Sequence, residues 1–213
     1  MTSTSAGVAP GEGRAPGNNP GPGETPGSGH HAHPDHSLTG FVLFLASESL
    51  VFLAFFAGYA VLKTGALSWY PAGVAGLEWR EPLRYTAVLL SSSGTIALAE
   101  HFLERGRLGL FRGFWLLTMA MGAVFLAGQV LEWRGLAFGF TDGVFANLFY
   151  LLTGFHGLHV AAGIVLMGVM LVRSFTPKPG GGHRGLQAAG LFWHFVDVIW
   201  VVLFLLLYVW RSP

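Results

Sequence analysis

The 213-residue chain contains no cysteine, and only 11% of it is Asp, Glu, Lys or Arg. A disulfide framework, a thiolate metal site and a cysteine nucleophile are therefore excluded. The 12 basic and 11 acidic side chains nearly cancel, and the basic ones are scattered through loops. That leaves no electrostatic footprint for a nucleic-acid partner. Also missing are a phosphate-cradling glycine loop, an HExxH zinc motif and a plausible serine triad. Chemistry by this chain alone is not expected. What is abundant is apolar, with 52% hydrophobic residues and a mean hydropathy of +0.54, the balance of a membrane protein.

Residues 1–37 are a different material, rich in Gly, Pro, Ser and Thr, and their composition predicts a disordered tail. The tail lacks the apolar core of a secretory signal, so no cleavage is expected and the first hydrophobic span acts as its own insertion signal. His30, His31, His33 and His36 with Asp35 can collect a divalent cation, but a flexible backbone offers no preformed geometry. A solvated linker is the simpler reading.

A spanning helix needs about 20 mostly apolar residues. Five segments qualify, at about 39–62, 83–103, 113–133, 144–172 and 191–210, so the expected fold is all-α, a polytopic bundle of five transmembrane helices. Trp69-Tyr70-Pro71, Glu81-Pro82, Arg105-Gly106-Arg107, Asp142-Gly143 and the 177–182 stretch mark the breaks. With the tail inside, seven basic residues lie on the cytoplasmic side against five outside, which favours a cytoplasmic N-terminus and an outer C-terminus. Gly122, Ala123, Ala127 and Gly128 in the third span, and Gly154, Gly157 and Gly163 in the fourth, allow close helix approach. Trp79, Trp115, Trp133, Trp210 and Tyr70 fit an interfacial aromatic belt.

Polar groups inside the spans are few, and lipid makes each of them costly. Glu48 lies well inside the first span between Ser47 and Ser49. It reads either as a protonated carboxyl bonded to a neighbouring hydroxyl or as a proton-relay group. His156 and His159 are three apart on the fourth span, and His194 and Asp197 repeat that spacing on the fifth, so four polar groups are placed to converge between two helices. Such a set can ligate iron, copper or haem, or can bond helix to helix with no metal. Gln129 is deep enough in the third span to bridge helices, while Glu100, His101, Glu104 and Glu132 lie near membrane boundaries as anchors.

The strings TGFHGLHVAAG (153–163) and FWHFVDVIWVVLFLLLYVW (192–210) resemble the paired signature of cytochrome c oxidase subunit III, in the haem–copper oxidase superfamily. SESLVFLAFFAGY (47–59), PLRYTAVLLSSSG (82–94) and MGAVFLAGQVLEW (121–133) are similar to further family segments in the same order. The resemblance runs from about Pro34 to the C-terminus, with the disordered tail where seven-helix members carry two more helices, which leaves the five-helix bacterial form. It implies a subunit with no cofactor of its own, docked on subunit I of an oxidase whose haem and copper sit in subunits I and II. It implies support of proton uptake and turnover stability in an enzyme that oxidises cytochrome c and reduces oxygen, with Glu48 as the family's intramembrane carboxyl. Gln129, His156, His159, His194 and Asp197 become an internal polar framework rather than metal ligands. Membrane lipids are expected neighbours, and a bacterial plasma membrane, or a thylakoid in a cyanobacterial-type host, is the expected location. The related quinol oxidases also use a five-helix subunit III, so quinol is the alternative electron donor. An autonomous metal-binding protein and a proton transporter are more distant alternatives.

Overall fold

The structure, a computed structural model, describes residues 36–74, 76–176 and 182–210. These form five helices: α1 (His36–Gly65), α2 (Arg80–Glu104), α3 (Leu108–Gly135), α4 (Val144–Arg173) and α5 (Gly182–Phe204), the last continuing as one π-helical turn, Leu205–Val209. The all-α, five-helix expectation holds. Most of the disordered tail expected over residues 1–37, with His30, His31, His33 and Asp35, lies outside the described residues, while His36 is the first residue of α1.

Local chemistry sets the boundaries. Pro82 sits in the first turn of α2, where its missing N–H removes no helical bond. Glu81 in the same turn faces the positive end of the helix dipole and pairs with Arg84 at 2.8 Å. At the other end Gly106 takes φ +71°, which lets the chain reverse. Its N–H donates to Leu103 O at 3.0 Å and that of Arg107 to Phe102 O at 2.9 Å, the double bond of a Schellman ending. The three-residue connection folds α2 and α3 into an antiparallel hairpin.

Four helices are long and apolar enough to cross a membrane by length and composition: α1, α3, α4 and α5 with its last turn. α2 has the length, about 37 Å for 25 residues at about 1.5 Å each, but Ser91, Ser92, Ser93 and Thr95 lower its hydropathy. Neighbouring helices absorb much of that polarity. Trp193 Nε1 on α5 donates to Ser92 Oγ at 2.8 Å, Trp200 Nε1 donates to Thr86 Oγ1 at 2.9 Å, and the Thr95 hydroxyl meets that of Thr118 on α3 at 2.7 Å.

α3 and α4 are tied in the same manner. Trp115 Nε1 donates to Met167 O at 3.0 Å and Trp133 Nε1 to Thr153 Oγ1 at 3.2 Å. Trp115, fully buried, is therefore an internal strut and not a member of an interfacial belt, whereas Trp133 is half-buried two residues from the end of α3. α3 begins at Leu108, five residues earlier than its apolar run suggests, so Trp115 lies two turns inside the helix and is fully buried. Trp79 remains exposed at the start of α2, as a belt residue should be. Trp115→Phe is expected to retain the fold and lower the melting temperature, since it removes the indole bond to the Met167 carbonyl, worth about 1 kcal/mol, while that carbonyl keeps its helical partner. Thermal unfolding of the purified protein would measure it.

The helix ends carry two further ties. Lys63 at the end of α1 is buried, donates to the backbone carbonyl of Trp210, and lies 4.6 Å from the Trp210 ring. A cation there closes the C-terminal end of α5 favourably. At the opposite end Arg112 donates to Ser174 O at 2.6 Å and stacks 4.0 Å over Phe175, joining α3 to the end of α4.

Candidate polar sites within the bundle

The four groups expected to converge between α4 and α5 are instead divided among three environments. Residues three apart on a helix point roughly 60° apart at about 100° per residue, and here that divergence decides their partners. His156 turns into the core, fully buried, stacked 4.9 Å from the Trp200 ring and edge-on to Phe125 at 5.8 Å. Among the described residues neither of its ring nitrogens has a hydrogen-bond partner.

His159 turns the other way, towards α1. Its Nε2 lies 3.2 Å from Glu48 Oε2 and its Nδ1 lies 2.8 Å from Phe155 O. A carbonyl oxygen only accepts, so Nδ1 carries a proton. One proton then lies between Nε2 and the carboxyl, and the pair reads as neutral acid with neutral imidazole or as carboxylate with imidazolium. Either form has no net charge. Phe52 and Phe155 flank the imidazole, with ring centres 5.1 and 4.7 Å away. Among the described residues neither Ser47 nor Ser49 bonds to Glu48; its carboxyl meets His159, and Ser49 Oγ donates to Leu45 O of its own helix at 2.8 Å.

His194 and Asp197 belong to a third place, the seam between α5 and α2. Ser93 Oγ donates to Asp197 Oδ2 and lies 3.3 Å from His194 Nδ1. With its single proton given to the carboxyl oxygen, the serine accepts from His194 Nδ1–H, so one hydroxyl links both residues to α2. Asp197 is buried, and its Oδ1 has no partner among the described residues. Ser93→Ala is expected to lower stability by roughly 1–3 kcal/mol, since it strands Asp197. Ser93→Thr, which keeps the hydroxyl, should restore it, as read from the melting temperatures of the two variants.

Gln129 does not bridge helices by itself. Its Nε2 donates to Glu132 Oε2 at 3.2 Å on its own helix, and Tyr208 OH from the π turn donates to Glu132 Oε1 at 2.7 Å. Glu132, placed at the membrane boundary from its position near the end of the span, is thus the group that bridges. Ser93 and Tyr208 were not singled out by sequence. The run of three serines on a span was the available signal for Ser93, whereas nothing in spacing marks Tyr208.

A metal or haem reading required His156, His159, His194 and Asp197 to face one point, and they do not. Among the described residues no three His, Cys, Asp or Glu side chains are grouped so as to hold a metal ion. What the arrangement does supply is a set of separate polar ties between helices, one of which joins Glu48 on α1 to His159 on α4.

Comparison with known proteins decides what such a bundle is. The family model for cytochrome c oxidase subunit III matches residues 24–212. The chain belongs to the cytochrome c oxidase subunit III family. It is 41% identical over 181 residues to cytochrome c oxidase subunit 3 of Synechocystis, covering 84% of this chain and 78% of that one. The protein of the same name from Thermostichus vulcanus is 43% identical, covering 84% of this chain and 90% of its own. That of Rhizopus stolonifer is 39% identical, covering 80% of this chain and 63% of the longer fungal one. Membership makes this chain a membrane subunit of an oxidase complex, and TGFHGLHV and WHFVDV are the segments that first pointed there.

Proposed function

We propose that this chain is the cofactor-free subunit III of a bacterial haem–copper oxidase that oxidises cytochrome c, reduces oxygen to water and pumps protons. It packs on the catalytic subunit I, supports proton uptake there and prolongs turnover, while subunits I and II carry haem and copper. The observation that carries this reading is the Glu48–His159 pair, whose Oε2 and Nε2 lie 3.2 Å apart while Nδ1–H is given to Phe155 O, so that one proton sits between carboxyl and imidazole. A carboxyl in that setting can take up or hand on a proton without a permanent charge in lipid. The names of the relatives support cytochrome c over quinol as the electron donor.

The proposed orientation has the N-terminus in the cytoplasm, the C-terminus outside and the membrane as the bacterial plasma membrane. The charge asymmetry behind it is seven inner basic residues against five outer ones. The 1–37 segment is proposed as a solvated tail and 38–213 as the subunit III domain.

Blue-native electrophoresis of solubilised membranes, with partner identification, tests the assignment. The chain is expected to migrate with a haem-bearing protein and to be colourless when isolated. Stoichiometric iron or copper in the isolated chain, or migration away from every haem-bearing protein, would overturn it.

A further inference from the structure

We infer that the joint outer face of α2 and α5 is the surface on which a transmembrane helix of the oxidase's redox-bearing subunit packs. The inference rests on the subunit reading above and adds which face is used and what the opposing helix must offer.

α5 packs against α1, α2 and α4, and its outer side is left open. Along that side Gln187, Leu191, His194, Val198, Val201 and Leu205 follow one another at alternating steps of four and three. That is the stripe of a left-handed helix pair. All are exposed except half-buried His194. Many apolar faces in lipid share this spacing, so the chemistry of the face distinguishes it. His194 Nδ1 is engaged by Ser93, while its Nε2 makes no hydrogen bond among the described residues. An imidazole nitrogen left open at the rim of a bundle is poorly served by hydrocarbon, which cannot hydrogen-bond it.

The neighbouring wall repeats the argument. The outward row of α2 is Ala87, Ser91, Gly94 and Leu98, all exposed, and a side chain added at Gly94 would meet nothing within 4 Å. Small side chains let an opposing backbone approach closely. The hydroxyls of Thr86, Ser92 and Thr95 are already taken up by α5 and α3, so what the outer row of α2 offers a partner is its small side chains. The outer surfaces of α3 and α4, with Leu117, Val124, Leu158 and Val165, share bulky aliphatics with the α5 row, so the distinguishing features of the α2–α5 face are His194 and the small residues of α2. On α1 the one buried-facing acid, Glu48, is already engaged by His159.

The occupant's chemistry follows from the lining. At one end of the seam a recess is bordered by Glu100, Glu104, Gln187 and His194. The Glu100 carboxyl rests against the α5 backbone at Gly190, where a Cβ would occupy its place. Neither acid has a basic partner among the described residues. The opposing helix should therefore carry small or hydroxyl side chains facing Ser91 and Gly94, a hydrogen-bonding group at the depth of His194, and a Lys or Arg level with Glu100 and Glu104.

The absence of native cysteine makes a direct test clean. Single cysteines at Gly94→Cys and Val198→Cys, with Val165→Cys on α4 and Leu50→Cys on α1 as controls, are coupled to a benzophenone label in the whole oxidase and irradiated in the membrane. Adducts to the haem-bearing subunit are expected from Gly94→Cys and Val198→Cys and not from the controls. In a second arm, Gly94→Leu is expected to weaken retention of the chain by the complex about tenfold, as overpacking a helix contact does. Adducts from Gly94→Cys and Val198→Cys to lipid or to a second copy of this chain would overturn the inference, as would haem-subunit adducts from the controls alone. Those results leave the subunit assignment intact, whereas failure of every variant and of the native chain to associate with a haem-bearing protein overturns both.

Discussion

Glu48→Gln is expected to leave the haem absorbance and subunit composition of the oxidase unchanged while raising its rate of inactivation during turnover several-fold. The reason lies in which bonds the substitution keeps. With His159 Nδ1 committed to Phe155 O, the Nε2 lone pair accepts from whatever Glu48 becomes. A glutamine amide can donate there, so the α1–α4 tie survives at a cost of no more than about 1 kcal/mol. What disappears is the proton shared between carboxyl and imidazole.

His159→Leu separates the two roles of the pair. It removes the partner altogether and leaves the Glu48 carboxyl without its hydrogen bond, a loss of roughly 1–3 kcal/mol. Assembly should fall in that variant and not in Glu48→Gln. The measurements are haem per subunit after purification and the decay of oxygen consumption with successive turnovers. Equal loss of assembly in both variants would reduce the pair to a structural tie, and unaltered decay in Glu48→Gln would remove proton handling from its role.

Much of this architecture is legible in the sequence because lipid imposes simple constraints. A spanning helix must be long and mostly apolar, and Pro82, Gly106 and the charged connections fall where hydrogen-bonding rules place helix ends. Glu48 and the histidines were detectable as exceptions to an apolar pattern. Their partners were not, since three-residue spacing places His156 and His159 near one another without saying which neighbour each faces. That choice depends on how α1 and α5 pack against α4, a relation between distant segments that no local pattern encodes. Trp115 shows a second limit. Distance from the end of an apolar run is a poor measure of depth when the helix extends beyond the run, as α3 does at its N-terminal end. The serines of α2 were visible as a weakness in a span, and only packing reveals Ser92 and Ser93 as acceptors and donors for α5.

Gly122→Leu is expected to cause the largest loss of stability, with little or no chain recovered in the purified oxidase. Trp193 on α5 is fully buried, its ring pressed against the α3 backbone at Gly122 and against the α4 backbone at Gly163, while Nε1 donates to Ser92 on α2. One side chain thus fixes the spacing of four helices. A Cβ at Gly122 would enter the space of the Trp193 ring and come within 3.3 Å of Ile164, and backbone on both sides leaves the ring no direction in which to yield. Overpacking costs typically 1–3 kcal/mol, and displacement of the indole adds about 1 kcal/mol for the Ser92 bond. Gly154→Ala is the control, because its added carbon would stand 3.4 Å from Trp133, within ordinary contact, and recovery should be near normal. If the collision is the cause, combining Gly122→Ala with Trp193→Phe should recover more chain than Gly122→Ala alone, because the smaller ring vacates the space. Equal recovery from the two would place the role of Gly122 elsewhere than in its contact with Trp193.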